Sequence, residues 1–383
     1  IKNETGCDIR FHMVTSNIDD FFSLQLNISK NFFTSKLKKV SLSQDASKSS
    51  SWILVKPNDI YPFSFDGPAK IRHRNSHQLK SHKIVVQVDG WHPVFPVSVD
   101  KVGKYFREAK PEDSHYETAR IVFDIVLENN ARKMITVRSA LLLFNGTPNE
   151  MDVKFGISLN SLTIKPQTII PIPLQLIRSK IFAKPCDLDV SMCNNPIIWD
   201  HIKKPYECYS QLMSCPSFSI SKSDSITGQL CYRFATVVVR ENFPLDNSQQ
   251  GPGVRSLRAL PGHQISLLPP LQLVNLLPFE LKYRIKDIGI ETSIKPGQND
   301  SIHYVDTNKD IVLFFTIDNY PKCTVFTISP GFPNDFVMHL ELFDKRDRPL
   351  YLQAQLFLVA NSPHALQVQI IAPNWLINQT GLP

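Results

Sequence analysis

The sequence predicts an all-β chain of tandem antiparallel β-sandwich repeats arranged end to end. Three observations predict it. Apolar or alternating runs of strand length recur with turn signals every ten or so residues. Proline outnumbers glycine 28 to 14, which interrupts helices but suits strand ends and turns. The third is an ordered set of markers that recurs along the chain, and long internal periods of this kind signal repeated units.

The first marker is a short apolar strand, an asparagine and a tight-turn signal. It occurs around Asn3 (Ile1 to Gly6), Asn145 (Leu142 to Pro148), Asn275 (Leu273 to Phe279) and Asn378 (Trp375 to Pro383). The second is an apolar-Lys-Pro triplet feeding an extended segment, at Val55-Lys56-Pro57, Ile164-Lys165-Pro166 and Ile294-Lys295-Pro296. A residue before proline is pushed out of helical conformation, so this triplet reads as a turn into a strand. The third is an alternating or β-branched run at Arg120 to Leu127, Leu230 to Val239 and Leu350 to Val359. From each, a connecting strand leads to the next asparagine: Met134 to Leu143, His263 to Val274 and Leu366 to Ile377.

These markers divide the chain into repeats at 1–137, 138–267 and 268–371, with 372–383 as the first strand of a further repeat. Units of about 100 to 140 residues with this patterning are sandwich-sized. Residues 101 to 118 have the composition of a short helix. Loops are expected at Ser41 to Ser51, Lys70 to Lys83, Pro185 to Pro216 and Asp246 to Pro261, where unit lengths diverge.

Charge and cysteine content bear on the setting. The formal charge of +7 over 383 residues reads as a solvated surface, with a basic patch facing anionic lipid or nucleic acid as the alternative. Cys7, Cys186, Cys193, Cys208, Cys215, Cys231 and Cys323 form an odd, scattered set, unlike a disulfide framework. Reduced thiols in a cytosolic protein fit that set better. N-x-S/T triplets at Asn3, Asn27, Asn145, Asn299 and Asn378 cut against it, but such triplets often arise by chance, and a secreted chain is the minority alternative. The chain opens mid-strand at Ile1 without a signal peptide, and reads as a fragment of something longer. Its longest apolar runs, such as Ala140 to Phe144, fall far below the roughly 20 residues that cross a bilayer.

No residue pattern points to catalysis. G-x-S-x-G, H-E-x-x-H, P-loop and dinucleotide-glycine motifs are all missing, so no catalytic residue, metal site or cofactor is expected. His73, His77, His82 and His92 lie among Lys70, Arg72, Arg74, Lys80 and Lys83 at uneven spacing, which reads as a solvated basic hairpin; anionic headgroups are its alternative partner. Cys186 and Cys193, and likewise Cys208 and Cys215, are spaced more widely than the C-x-x-C pairs usual for zinc. Leu267 to Leu271 holds two prolines that read as blockers of strand pairing, with an aromatic-groove ligand as the other possibility. The repeated asparagines Asn3, Asn145, Asn275 and Asn378 read as structural latches, since an amide donates and accepts and can tie a turn to a neighbouring strand. A glycan acceptor is the competing reading. No residue is assigned to peptide binding.

The segment Trp375-Leu376-Ile377-Asn378-Gln379-Thr380-Gly381-Leu382-Pro383, with its echoes at Asn3, Asn145 and Asn275, resembles the repeat opening of the adaptor-binding domain in the vacuolar protein sorting-associated protein thirteen (chorein) family. That resemblance implies a chain of sandwich-like repeats within a long bridge-like lipid transfer protein at membrane contact sites. It implies recruitment to organelles through adaptor proteins that carry short proline-containing motifs, and a cytoplasmic, peripheral location. Strand addition at a sheet edge suits such a motif, which is extended before it binds. Nucleic acid and small-molecule substrates are not expected partners of this stretch. The alternative is an extracellular adhesion or receptor segment built from sandwiches; an enzyme with a hidden acid pair ranks behind it.

Overall fold

A computed structural model describes residues 1–16, 52–65, 81–113, 116–129, 132–156, 161–202, 207–217, 231–242, 261–286, 289 and 291–373. Among them no α-helix forms. Strands dominate, joined by turns and by single 3₁₀ turns such as Leu174–Leu176 and Val359–Asn361. The chain divides into two compact units. The first comprises Ile1–Leu141, Pro171–Arg178 and the described residues of Asn242–Gly262, the second Leu142–Ile170, Ser179–Glu241 and the described residues from His263.

The first unit contains β1 (Lys2–Glu4), β2 (Ile9–Ser16), β3 (Ile53–Val55), β4 (Ser81–Val88), β5 (Val97–Ser98), β6 (Gly103–Ala109), β7 (Ala119–Leu127) and β8 (Lys133–Ser139). Two sheets result, ordered β1-β8-β7-β6 and β3-β2-β4-β5. β1 runs parallel to β8, and on its other side a bridge joins Lys2 to Ile60. Phe11, Val86, Trp91, Phe123 and Val137 fill the core, and Leu174 packs onto it. Each such buried side chain contributes roughly 1.5–3 kcal/mol.

The second unit repeats this plan twice. Its first half holds β9 (Leu141–Asn145), β10 (Met151–Phe155), β11 (Ser161–Ile164), β12 (Thr168–Pro171), β13 (Ile181–Pro185), β14 (Cys208–Pro216), β15 (Cys231–Asn242) and β16 (Pro261–Leu268). They order as β12-β9-β16-β15-β14 and β11-β10-β13. Its second half holds β17 (Leu271–Asn275), β18 (Leu281–Ile285), β19 (Glu291–Ile294), β20 (Asn299–Ile302), β21 (Ile311–Thr316), β22 (Lys322–Cys323), β23 (Phe326–Ile328), β24 (Phe336–Phe343), β25 (Pro349–Leu358) and β26 (Leu366–Ile371). They order as β20-β17-β26-β25-β24-β22 and β19-β18-β21-β23. Each time, the asparagine-bearing strand lies beside the last strand of its set, and the strand that follows it lies in the facing sheet.

Within the second unit β15 meets the segment after β20. The rings of Tyr232 and His303 stack at 4.3 Å and 10°. The Arg233 N–H donates to the His303 carbonyl at 2.7 Å, and His303 Nδ1 lies 2.9 Å from the Arg233 carbonyl.

Several expectations are corrected. Residues 101 to 118 form no helix: β6 occupies Gly103–Ala109, paired antiparallel with β7 from Gly103↔Ile125 to Ala109↔Ala119. The helix-forming composition of Lys104, Arg107, Glu108 and Ala109 yields to the ladder offered by the β-branched residues of β7. The stretch Pro185 to Pro216 is not all loop, because β14 supplies nine residues paired to β15. The stretch Lys70 to Lys83 ends in β4, which starts at Ser81; residues 70–80 lie outside the described residues, as do the loop at Ser41 to Ser51 and 246–260 of the last one. The connecting runs to Asn145 and Asn275 are each two strands, broken at Ala140 and at Pro269-Pro270. Residues 374–383, including Asn378, also lie outside the described residues.

Candidate functional site

The three described asparagines form corners with the same hydrogen-bond pattern. Asn145 and Asn275 end β9 and β17, Asn3 is the middle residue of β1, and all three are fully buried. Asn3 Nδ2 donates to the carbonyls of Cys7 at 2.8 Å and Val55 at 2.9 Å. Asn145 Nδ2 donates to those of Asn149 and Ile164, and Asn275 Nδ2 to those of Phe279 and Ile294. Val55, Ile164 and Ile294 end β3, β11 and β19, which belong to the facing sheets. The amide thus spans the sandwich. Its Oδ1 accepts from the backbone N–H two residues on, at Thr5, Thr147 and Leu277. Thr5 and Thr147 add a hydroxyl to that oxygen, which Leu277 lacks.

The Lys-Pro marker completes the same corner. The residue after each proline has positive φ: Asn58 at 66°, Gln167 at 56° and Gly297 at 71°. Proline followed by a left-handed residue is the requirement of a type II turn. That conformation aims the three N–H groups at the carbonyls of Asn3, Asn145 and Asn275, at 2.8, 2.7 and 2.8 Å. The sequence marked both elements as turns but not their junction; the positive-φ position after Lys-Pro was the missed signal.

The thiols of the two spaced pairs are buried or exposed free cysteines. Cys193 and Cys215, one from each pair, converge on Ala183. The Ala183 N–H points to Cys193 Sγ at 3.3 Å and Cys215 Sγ donates to the Ala183 carbonyl at 3.4 Å. Burial pushes the Cys193 thiol up to about 11 and raises that of Cys215 further. Their partners Cys186 and Cys208 are exposed, and all seven cysteines are free. His82 is joined by an acid: Asp100 Oδ1 lies 2.9 Å from His82 Nδ1, and Asp100 Oδ2 accepts from the His82 N–H. His73 and His77 lie outside the described residues. Among the described residues no group of three or more His, Cys, Asp or Glu is placed to hold a metal.

A groove of about 550 Å³ crosses the first unit, between Tyr61, Phe63 and Phe65 on one wall and Lys133 and Met134 on the other. β8 pairs with β1 only over Thr136 to Arg138, and the groove lies along the rest of that edge.

Sheet edges are the remaining binding elements. β6 is covered by the chain at 90–96: the His92 N–H donates to the Lys110 carbonyl, and the Arg107 guanidinium donates to the carbonyls of Phe95 and Pro96. β14 is covered by 190–198, with the N–H groups of Ser191 and Asn194 on the carbonyls of Pro216 and Ser214. β24, the strand in the same place of the third set, is covered by the described residues only at its end. β22 pairs with Leu342 and Phe343 alone, and the Thr324 N–H reaches the Glu341 carbonyl.

Comparison with known proteins gives this architecture a family. Residues 68–383 match the family described as vacuolar-sorting associated protein 13, adaptor binding domain. The chain belongs to this family. It is 32% identical over its whole length to the Homo sapiens intermembrane lipid transfer protein VPS13D, covering 9% of that protein. It is 30% identical over 87% of its length to Drosophila melanogaster Vps13D, covering 8%. A VPS13 of Chaetomium thermophilum is 24% identical over 84% of the chain, which covers 10% of it. The chain therefore spans about a tenth of the length of these relatives. Among its described residues no helix is long and apolar enough to cross a membrane.

Proposed function

We propose that the chain is the targeting module of a bridge-like lipid transfer protein, recruiting it to organelles at membrane contact sites. It binds short proline-containing motifs of adaptor proteins by β-strand addition, and touches organelle membranes only through those adaptors. The observation that carries this reading is the recurrence of one asparagine-cornered sandwich plan in a chain of the adaptor-binding family. The units run 1–137, 138–267 and 268–371, with Asn3, Asn145 and Asn275 as their structural latches. A row of like-built sandwiches multiplies sheet edges, and an edge is what an extended peptide recognises: main-chain hydrogen bonds hold it and alternate side chains select it. A proline-containing motif is pre-extended, so it loses less entropy on binding. The relatives' printed names, intermembrane lipid transfer proteins, support the lipid-transfer setting. Two of the five glycan acceptors of an extracellular reading, Asn3 and Asn145, fit it poorly, because their amides are buried and fully hydrogen-bonded; Asn299 is exposed.

The test is localisation. A fluorescently tagged chain, expressed with an organelle-anchored adaptor bearing its proline motif, should concentrate on that organelle. It should return to the diffuse cytoplasm when the motif's prolines are replaced. A distribution indifferent to the motif refutes the reading.

A further inference from the structure

The outer edge of β24 is an open backbone template. Its ladder with β25 runs from Phe336↔Leu356 to Phe343↔Pro349. The Thr324 N–H bonds the Glu341 carbonyl from the far side, so the polar groups of Glu341 face away from β25. In an antiparallel pair this orientation alternates residue by residue. The N–H and C=O groups of Val337 and His339 therefore also face away from β25, and no ladder reaches them among the described residues. Exposed edges are normally blocked by lysine, proline, bulges or covering loops. β6 and β14 are covered by neighbouring chain, whereas Phe336 to Leu340 carries none of these devices.

The surface beside this edge has the composition of an interface. Phe336 and Val337 are 40% and 41% exposed, Tyr351 60%. The outward face of β17, β26 and β25 is a field of amides: Gln272, Gln353, Gln355, Gln367 and Gln369. The Gln367 amide bonds Gln272 Oε1 at 2.7 Å, and Gln369 bonds Gln367 Oε1 at 3.1 Å. On the outward positions of β17, β24, β25 and β26 there is one acid, Glu341, and no lysine or arginine; at the sheet's edge β22 adds Lys322, opposite Phe343 and paired with Asp347. A chain of net charge +7 thus has a face from which charge is nearly excluded, and depletion of charge with aromatics retained marks interface cores.

We propose that the Val337–His339 edge of β24 is a strand-acceptor site for an uncharged extended peptide, adding a seventh strand to the six-stranded sheet. The assignment rests on the adaptor-binding reading above and gives that reading a location. The two residues offer two N–H and two C=O groups, so the peptide residues opposite them must keep their own N–H. Proline is admitted only where its nitrogen faces away from β24. Side chains on the added strand extend the amide face, so apolar, threonine or amide residues are accepted and charged ones are not.

The probe is a fluorescent peptide of alternating valine and threonine, with a control N-methylated on the amides that would face β24. Val337→Pro is the edge-blocking variant. Its lost N–H faces outward, so the β25 ladder is intact. Val337→Lys blocks the edge if the proline variant unfolds. Anisotropy should report saturable binding to the whole chain, with slowed hydrogen exchange at Val337 and His339. Affinity should fall about tenfold or more for either variant and for the methylated control, the scale of losing one net hydrogen bond or more. Absent binding, unchanged exchange at those two amides, or equal affinity of the variants overturns the site. Proline-motif adaptor peptides held equally by wild type and Val337→Pro also overturn it, while the broader reading stands. If the valine-threonine peptide behaves as expected but no adaptor peptide binds the wild type, the acceptor edge stands and the adaptor reading falls.

Discussion

Removing the side chain of Asn275 is the sharpest structural perturbation available. Asn275→Ala deletes two donated hydrogen bonds, to the carbonyls of Phe279 and Ile294 at 2.7 and 2.8 Å, and one accepted from the Leu277 N–H at 3.0 Å. All three lie at a fully buried residue, and at about 1 kcal/mol each the loss is about 3 kcal/mol. For a unit in the 150–250 residue range, that lowers the melting temperature by about 6–12 °C. Asn275→Asp keeps the shape but sets a carboxylate against two carbonyl oxygens, and must cost at least as much. Calorimetry of the whole chain measures the shift, and hydrogen exchange at the Leu277 amide reports the corner itself. A fall under about 2 °C, or unchanged protection at Leu277, refutes the latch.

Three further outcomes are expected. Gln167 holds φ of 56° and Gly297 holds 71° at the same turn position. Gln167→Gly should therefore raise stability by up to about 1 kcal/mol and Gly297→Ala should lower it by about as much, read as opposite shifts in melting temperature. Burial depresses His303 to about 4, despite the opposing pull of the Arg233 carbonyl and Asp300. The unfolded chain thus takes up its proton first as pH falls. Stability from this group is complete above about 6.5 and declines toward pH 4, by up to about 3 kcal/mol; urea titrations at pH 7.5 and 5 should differ less in His303→Phe. Thiol labelling of native protein at pH 8 should reach the exposed Cys208 before Cys186, whose thiol is raised by burial and by Asp152, Glu150 and Asp187. Cys193 and Cys215 should react only on unfolding.

The turns at Asn3, Asn145 and Asn275 and at the Lys-Pro triplets were legible because they are local signals repeated in order, whereas the junction of each pair of turns joins segments distant in sequence and was not. The strands of the third marker were legible from their alternation: Ile121, Phe123 and Ile125 of β7 are all buried. β6 and β14 were not. Gly103–Ala109 carries helix formers, and Cys208–Pro216 is rich in serine, cysteine and glutamine; both are strands because β7 and β15 pair with them. The approach of Cys193 to Cys215 at Ala183 of β13 joins one member of each pair, which the spacing within the pairs does not show. The open edge of β24 was invisible for a related reason. Phe336 to Leu340 reads as an ordinary strand, and what marks it is where β22 stops.

The central claim is that this row of sandwiches binds adaptor peptides. Isothermal titration of a synthetic proline-motif adaptor peptide into the purified chain tests it most directly. Saturable binding with a negative heat-capacity change, lost when the motif's prolines become alanine, is the predicted result. No heat of binding at millimolar peptide, either to the chain or to a version extended past Pro383, contradicts the account.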